Sequence, residues 1–207
     1  GPLSSQDRLS PIAAPVAEAD YKIGADEQIF CIGSCFANEI SQALHRLDYN
    51  VLSIFHDLSD SPDKLITDDS VFHKYSVASI YNELSWALDP EKEYSHEQVL
   101  VETSSDCVQD YQLSGKDRNY TRESAESFRD AFNLSFSKVK DADVVILTLG
   151  VSEVWFDKET QLYLNVSVPK SLTELYPDRF ELHVFDYETT SFYLKAIYKL
   201  LATYLKD

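Results

Sequence analysis

Gln28-Ile29-Phe30-Cys31-Ile32-Gly33-Ser34-Cys35-Phe36-Ala37-Asn38-Glu39-Ile40 is the stretch that decides the fold class. Its apolar run reads as a buried strand, stops at Gly33, and gives way to helical spacing through Phe36, Ile40, Leu44 and Leu47. Ser34 therefore stands where a strand feeds a helix. The free N–H groups of the first helical turn and the positive end of the helix dipole face outward there. A serine in that place has donors beside it for a developing oxyanion. The position equally describes an ordinary N-cap serine, and on spacing alone the cap is the plainer reading.

Working outward, Val51-Leu52-Ser53-Ile54-Phe55 supplies a second apolar run. A parallel pair joined by a helix crosses over right-handed, so 27–55 reads as a β-α-β unit. A polar loop follows over Asp57 to Asp69. Ser76 caps a helix to Leu88, with Ile80, Leu84 and Leu88 on one face; Thr121 caps another, buried through Phe128, Phe132, Phe136 and Val139. Between them, Gln98 to Val101 reads as a short strand and Tyr111 to Tyr120 as a loop. Asp143 to Leu149 is apolar almost throughout, as a parallel strand covered on both faces requires. Leu162 to Val166 is a further short strand, and a terminal helix runs through Tyr193, Ile197, Leu200, Leu201 and Tyr204. The Ser34 turn and the loop opening at Gly150 both fall past the carboxyl ends of strands, the edge where open α/β sheets bind ligands.

Composition sets bounds. At 207 residues, 44% of them hydrophobic, the chain is sized for one α/β core, taken as 26–207. Residues 1–25 read as a flexible arm, and Gly1-Pro2 with no Met in the chain reads as a protease-site remnant. A net charge of −17 leaves no basic patch for nucleic acid or an anionic membrane surface. No stretch approaches the ~18 apolar residues of a membrane span, and no signal peptide is legible. Cys31, Cys35 and Cys107 lack metal-ligand spacing and suit free thiols in a reducing compartment, hence the cytoplasm. Cys35 is the alternative nucleophile at the helix end, set against a packing role beside Phe36. No phosphate-binding or dinucleotide loop occurs, and the sequence calls for no cofactor or metal. Asn119, Asn133 and Asn165 each begin a glycosylation sequon.

Three blocks carry a family resemblance. Gly33-Ser34-Cys35-Phe36-Ala37 spells the signature of the GSCFA domain family, and Leu147-Thr148-Leu149-Gly150-Val151-Ser152-Glu153-Val154-Trp155 is similar to its TLG-x-[ST]-E-x-W segment. Arg179-Phe180-Glu181-Leu182-His183-Val184-Phe185 looks like its F-x-[FL]-H-x-F stretch. The resemblance implies a flavodoxin-like fold of the SGNH (GDSL-type) hydrolase group: a three-layer α/β/α sandwich about a parallel central sheet, with Ser34 attacking esters. It covers the first two-thirds or so of a family domain, whose pattern continues past such a terminal helix to a D-x-x-H block. On that comparison the sheet is incomplete at its C-terminal end.

The implied chemistry is an acyl-enzyme on Ser34, formed from an ester of a small molecule or glycan, with water or a sugar hydroxyl releasing the acyl group. Gly33, Cys35, Ser79 and Gly150 are the expected oxyanion and pocket residues, with the Ser152 hydroxyl lining the pocket, Glu153 orienting a polar ligand and Trp155 stacking on a sugar or acyl face. Trp155 reads alternatively as core, Ser152 as a turn cap and Glu153 as solvated. No histidine follows His183, so either this chain stops short of the D-x-x-H block, or the protein has lost that block, or the base comes from another place. His45 lies about three helical turns from Ser34. His56 follows the second strand, in reach of the ligand edge, and His73 precedes the Ser76 helix, in reach of the site, each with a plain loop reading beside it. His96 lies in a solvated acidic segment, and His183, at a motif position, is the preferred candidate although its apolar flanks suit a structural histidine. Val77-Ala78-Ser79-Ile80-Tyr81 stands where the family often has Tyr-Gly-Asn-Ile-Tyr, so Ala78 and Ser79 depart from its oxyanion segment. The competing reading is a binding module that keeps the pocket without the base.

Overall fold

The structure, a computed structural model, describes residues 21–54, 69–92, 94–104, 106–114 and 120–205. Strand β1 (Gln28–Ile32) leads into α1 (Cys35–Arg46) and β2 (Asn50–Val51), the expected β-α-β unit with its second strand short. Then follow α2 (Val77–Leu88), a single helical turn α3 (His96–Val99), β3 (Leu100–Ser104), β4 (Cys107–Asp110) and α4 (Arg122–Phe136). The chain continues through β5 (Val144–Leu147), β6 (Glu153–Asp157), β7 (Leu162–Tyr163), α5 (Lys170–Leu175), β8 (Phe180–Val184) and α6 (Tyr187–Tyr204).

The parallel sheet has the order β2-β1-β5, with Ile29 opposite Val144 and Ile32 opposite Leu147. Two-residue alternation along β1 feeds two layers. Phe30 and Ile32 enter the main core with Ile80 and Leu84 of α2, Phe132 and Phe136 of α4, and Ile197 and Leu200 of α6. Ile29 and Cys31 face the other way, against Ala37, Ile40 and Leu44 of α1. Helices therefore cover both faces of β1, and the chain is a mixed α/β fold.

Two features differ from the sequence reading. The sheet has three parallel strands among the described residues, and β5 is at its edge, so Val144 to Leu147 are only half-buried despite their apolar character. Residues 153–184 build a second, antiparallel sheet of order β7-β6-β8 that the motif blocks hide. The second apolar run beyond Ile54, His56 and most of the 57–69 loop lie outside the described residues, as do 1–20 of the expected arm.

All three cysteines are free thiols. Among the described residues no helix is long and apolar enough to cross a membrane, and no group of three or more His, Cys, Asp or Glu is arranged to hold a metal.

Two half-buried tyrosines give the fold an alkaline limit. Burial, then the Asp130 carboxylate, pushes Tyr94 up to about 12; burial, then Tyr163 and Tyr81, pushes Tyr193 up to about 12. Between about 10 and 12 the folded state holds more protons than the unfolded one, so stability present below about 10 is lost as pH rises through 12. Phenolate absorbance is expected to show a late step near pH 12 that shrinks in Tyr94→Phe and in Tyr193→Phe. Completion of the titration by about pH 11 would contradict it.

Candidate active site

Gly33 ends β1 with φ at 148°, a region L side chains rarely adopt. A methyl group there would also run into Thr148 Oγ1 and the Thr148 carbonyl. That approach is fixed by the Thr148 N–H, which donates to Ile32 O at 3.0 Å. The turn therefore demands glycine, and it delivers Ser34 as the N-cap of α1. Ser34 is half-buried and its Oγ accepts from Phe36 N–H at 3.4 Å, a long bond that commits the hydroxyl only loosely. Cys35 and Phe36 are exposed, Phe36 by 63%. Phe36 thus leaves the buried stripe the sequence assigns it, and Ala37 and Ser41 carry that side of α1.

A second segment closes on this turn. Lys74 N–H donates to Gly33 O at 2.7 Å, and Tyr75 O accepts from Gly150 N–H at 3.2 Å and Val151 N–H at 2.9 Å. Asn165 ties the arrangement together: its Oδ1 accepts from Tyr75 N–H (2.8 Å) and Ser79 Oγ (2.9 Å), and its Nδ2 donates to His73 O (2.8 Å). Gly33, Ser79 and Gly150 are thus linked through the 73–75 segment and Asn165, and Ser34 follows Gly33 in the chain. Within this assembly, the Gly150 N–H is spent on Tyr75 and the buried Ser79 hydroxyl on Asn165 and Ser76 O. The donor left by helix geometry is the Cys35 N–H, which has no carbonyl four residues back within α1.

The remaining sequence candidates fall on the antiparallel sheet. Ser152 and Glu153 are exposed, and Ser152 O accepts from Phe185 N–H at 2.8 Å. Trp155 lies on β6, half-buried against the cluster of Val101, Tyr111, Leu164 and Phe180. His183, on β8, has Nδ1 3.0 Å from Tyr163 Oη, its ring stacked on Phe156 at 5.4 Å, and Nε2 3.6 Å from Glu181. No described histidine hydrogen-bonds Ser34. The histidine nearest in connectivity is His73, one residue from the Lys74–Gly33 bond, with its ring centroid 6.1 Å from that of Tyr75.

The sequence reading misses the residues that hold this assembly. Asn165 enters it only as a sequon, yet its side chain is buried and fully engaged. Lys74 and Arg129 are both 0% exposed. Lys74 Nζ lies 2.5 Å from Glu83 Oε1 and 2.6 Å from Gln112 O; Arg129 reaches Glu83 Oε2 at 2.7 Å and Asp110 at 3.3 Å. The guanidinium also sits over Trp86 and Phe132, 5.1 Å from each ring. Burial alone would raise Glu83, but Arg129 and Lys74 outweigh it and hold the carboxyl below its usual range. Burial lowers Lys74 and raises Asp110. The signal was available: Glu83 shares the stripe of Ile80 and Leu84, and Arg129 that of Phe128 and Phe132.

Compared with known proteins, a family model described as GSCFA family matches residues 28–207, most of the chain. No curated protein and no solved structure matches it.

Proposed function

The chain belongs to the GSCFA family, and from that premise we propose that it is an SGNH-type esterase or acyltransferase working through Ser34. The observation that carries the reading is the place of Ser34: past the end of β1, at the N-cap of α1, with a loosely held hydroxyl, next to Gly33, whose carbonyl is bonded to Lys74. Ser34 Oγ attacks the ester carbonyl, its proton passes to a base, and the alcohol leaves with a proton returned by that base. The Cys35 N–H and the dipole of α1 stabilise the oxyanion. Water or a sugar hydroxyl then takes the acyl group. The substrate class, an acylated small molecule or glycan, rests on family-level analogy. Free thiols suit a cytoplasmic setting.

We assign the base to His73 ahead of His183 because the His73 segment is bonded to the Ser34 turn through Lys74 N–H and Gly33 O; both rings have tyrosine partners, Tyr75 for His73 and Tyr163 for His183. A serine-reactive fluorophosphonate is expected to label the wild type at Ser34 and to leave Ser34→Ala unlabelled. His73→Ala should slow labelling by about 10²-fold or more, the usual yield of a general base. His183→Ala should leave the rate within about threefold.

A second reading, a binding module without turnover, is favoured by one observation: the only hydrogen bond of Ser34 Oγ among the described residues is to Phe36 N–H. A folded wild type that takes no label would establish it over the enzyme.

A further inference from the structure

Strand β8 lies at the edge of the antiparallel sheet, paired with β6 alone among the described strands. Two bonds fix which of its backbone groups are in use: Phe185 N–H donates to Ser152 O, and Lys158 N–H to Arg179 O. In an antiparallel ladder hydrogen-bonded pairs alternate, so the odd-numbered residues 179–185 face β6. The N–H and C=O groups of Phe180, Leu182 and Val184 therefore point away from the sheet, along an edge with no backbone partner among the described residues. Leu182 is 51% and Val184 70% exposed, and Tyr187, three residues on, is 85% exposed. Natural edges are usually blunted by charge, proline or a bulge. Phe180-Glu181-Leu182-His183-Val184 has no lysine, no proline and no register shift against β6.

We propose that this edge pairs with the same edge of a second copy, giving a two-fold dimer whose sheet runs continuously from β7 of one protomer to β7 of its partner. The register follows from the free groups together with the side chains set opposite one another. Outward-facing even residues must meet outward-facing even residues, and centring the two-fold on Leu182 achieves this. Leu182 then opposes its own copy, Phe180 opposes Val184, and Glu181 opposes His183. Directly opposed residues share a face, so one face of the junction is wholly apolar and the other sets a carboxylate against an imidazole at two symmetric positions. Centring on Glu181 or His183 also brings outward groups together, but it sets Glu181 against its own copy or His183 against its own copy and loses the carboxylate–imidazole pairing. An isologous interface must be self-complementary, and this strand is so in hydrogen bonding, hydrophobicity and charge together. The −17 net charge of each copy opposes approach at low ionic strength, so association is to be measured near physiological salt, where the Debye length is about 8 Å.

Sedimentation equilibrium across micromolar to hundreds of micromolar concentrations tests it. The wild type is expected at twice the 23.6 kDa chain mass. Leu182→Lys, which places two ammonium groups at the two-fold on a half-exposed site, should weaken association by at least about 100-fold with unchanged circular dichroism. The register has its own test. In a Cys35→Ser background, Leu182→Cys should form a disulfide dimer on mild oxidation, since paired α-carbons about 5.5 Å apart fall within disulfide range, whereas Glu159→Cys should not. A monomeric wild type throughout that range overturns the proposal. So does a dimer indifferent to Leu182→Lys, or a monomer that captures an extended peptide along this edge instead.

Discussion

Replacing Glu83 by Ala is expected to destabilise the fold by about 3–5 kcal/mol, the cost of leaving buried charges without their counter-ion. Lys74 and Arg129 are both 0% exposed and share this one carboxylate: Arg129 grips both oxygens and Lys74 adds a second donor to Oε1. Its removal leaves Arg129 with Asp110 at 3.3 Å and Lys74 with the Gln112 carbonyl at 2.6 Å. Glu83→Gln separates charge from shape, since it keeps the volume and one acceptor; it should recover less than half of the loss. The pH dependence has a definite sign. A carboxyl held low in the fold contributes stability that is present above its unfolded value, 4.5, and is lost as pH falls through the lower folded value. Urea midpoints of wild type and Glu83→Gln should therefore converge under acid and separate above about pH 5. A cost below about 1 kcal/mol for Glu83→Ala would mean that the two cations find other partners.

The network matters to the site because Lys74 has two attachments. Its ammonium is anchored between α2 and α4, while its backbone N–H holds Gly33 O at 2.7 Å. The core thus positions the turn that carries Ser34. Local pattern places Glu83 and Arg129 on apolar stripes but does not pair them, since they are 46 residues apart and charged residues are read by default as solvated. What is legible is whatever a hydrophobic period writes. β1, α1, α2, α4, β5 and α6 all follow from apolar spacing, and Ser34, Ser76 and Thr121 cap the helices they were expected to cap. The antiparallel sheet is the instructive loss. Phe180-Glu181-Leu182-His183-Val184 alternates with the two-residue period of a strand. A family block over the same residues draws attention to His183 as chemistry rather than to the alternation as structure. Likewise Trp155 belongs to a strand whose two faces are both covered, by Val154 in the main core and by Trp155 itself in the cluster around Tyr111.

Gly33→Ala is expected to remove both stability and any reactivity of Ser34. Two independent costs coincide at this position. A φ of 148° carries a penalty of about 1–3 kcal/mol for a residue with a β-carbon. The new methyl also meets backbone, the Thr148 carbonyl, as well as Thr148 Oγ1, and backbone does not rotate away. Relief requires either opening the end of the β1–β5 pair at the Ile32–Thr148 bond or releasing Gly33 O from Lys74 N–H. Both movements displace the first turn of α1. A loss of about 2–4 kcal/mol in urea unfolding follows, with fluorophosphonate labelling down by about 100-fold at a temperature where the variant is still folded. Two controls locate the cause. Ser34→Ala abolishes labelling yet costs only about 0.5–1 kcal/mol, because the capping bond it removes is already 3.4 Å long. Gly150→Ala meets only Tyr75 O, at 2.7 Å and without a positive φ, so it should cost less than Gly33→Ala. Stability near wild type in Gly33→Ala would contradict this backbone geometry. Lost stability with undiminished labelling would uncouple Ser34 from the turn, and the nucleophile would have to be sought elsewhere.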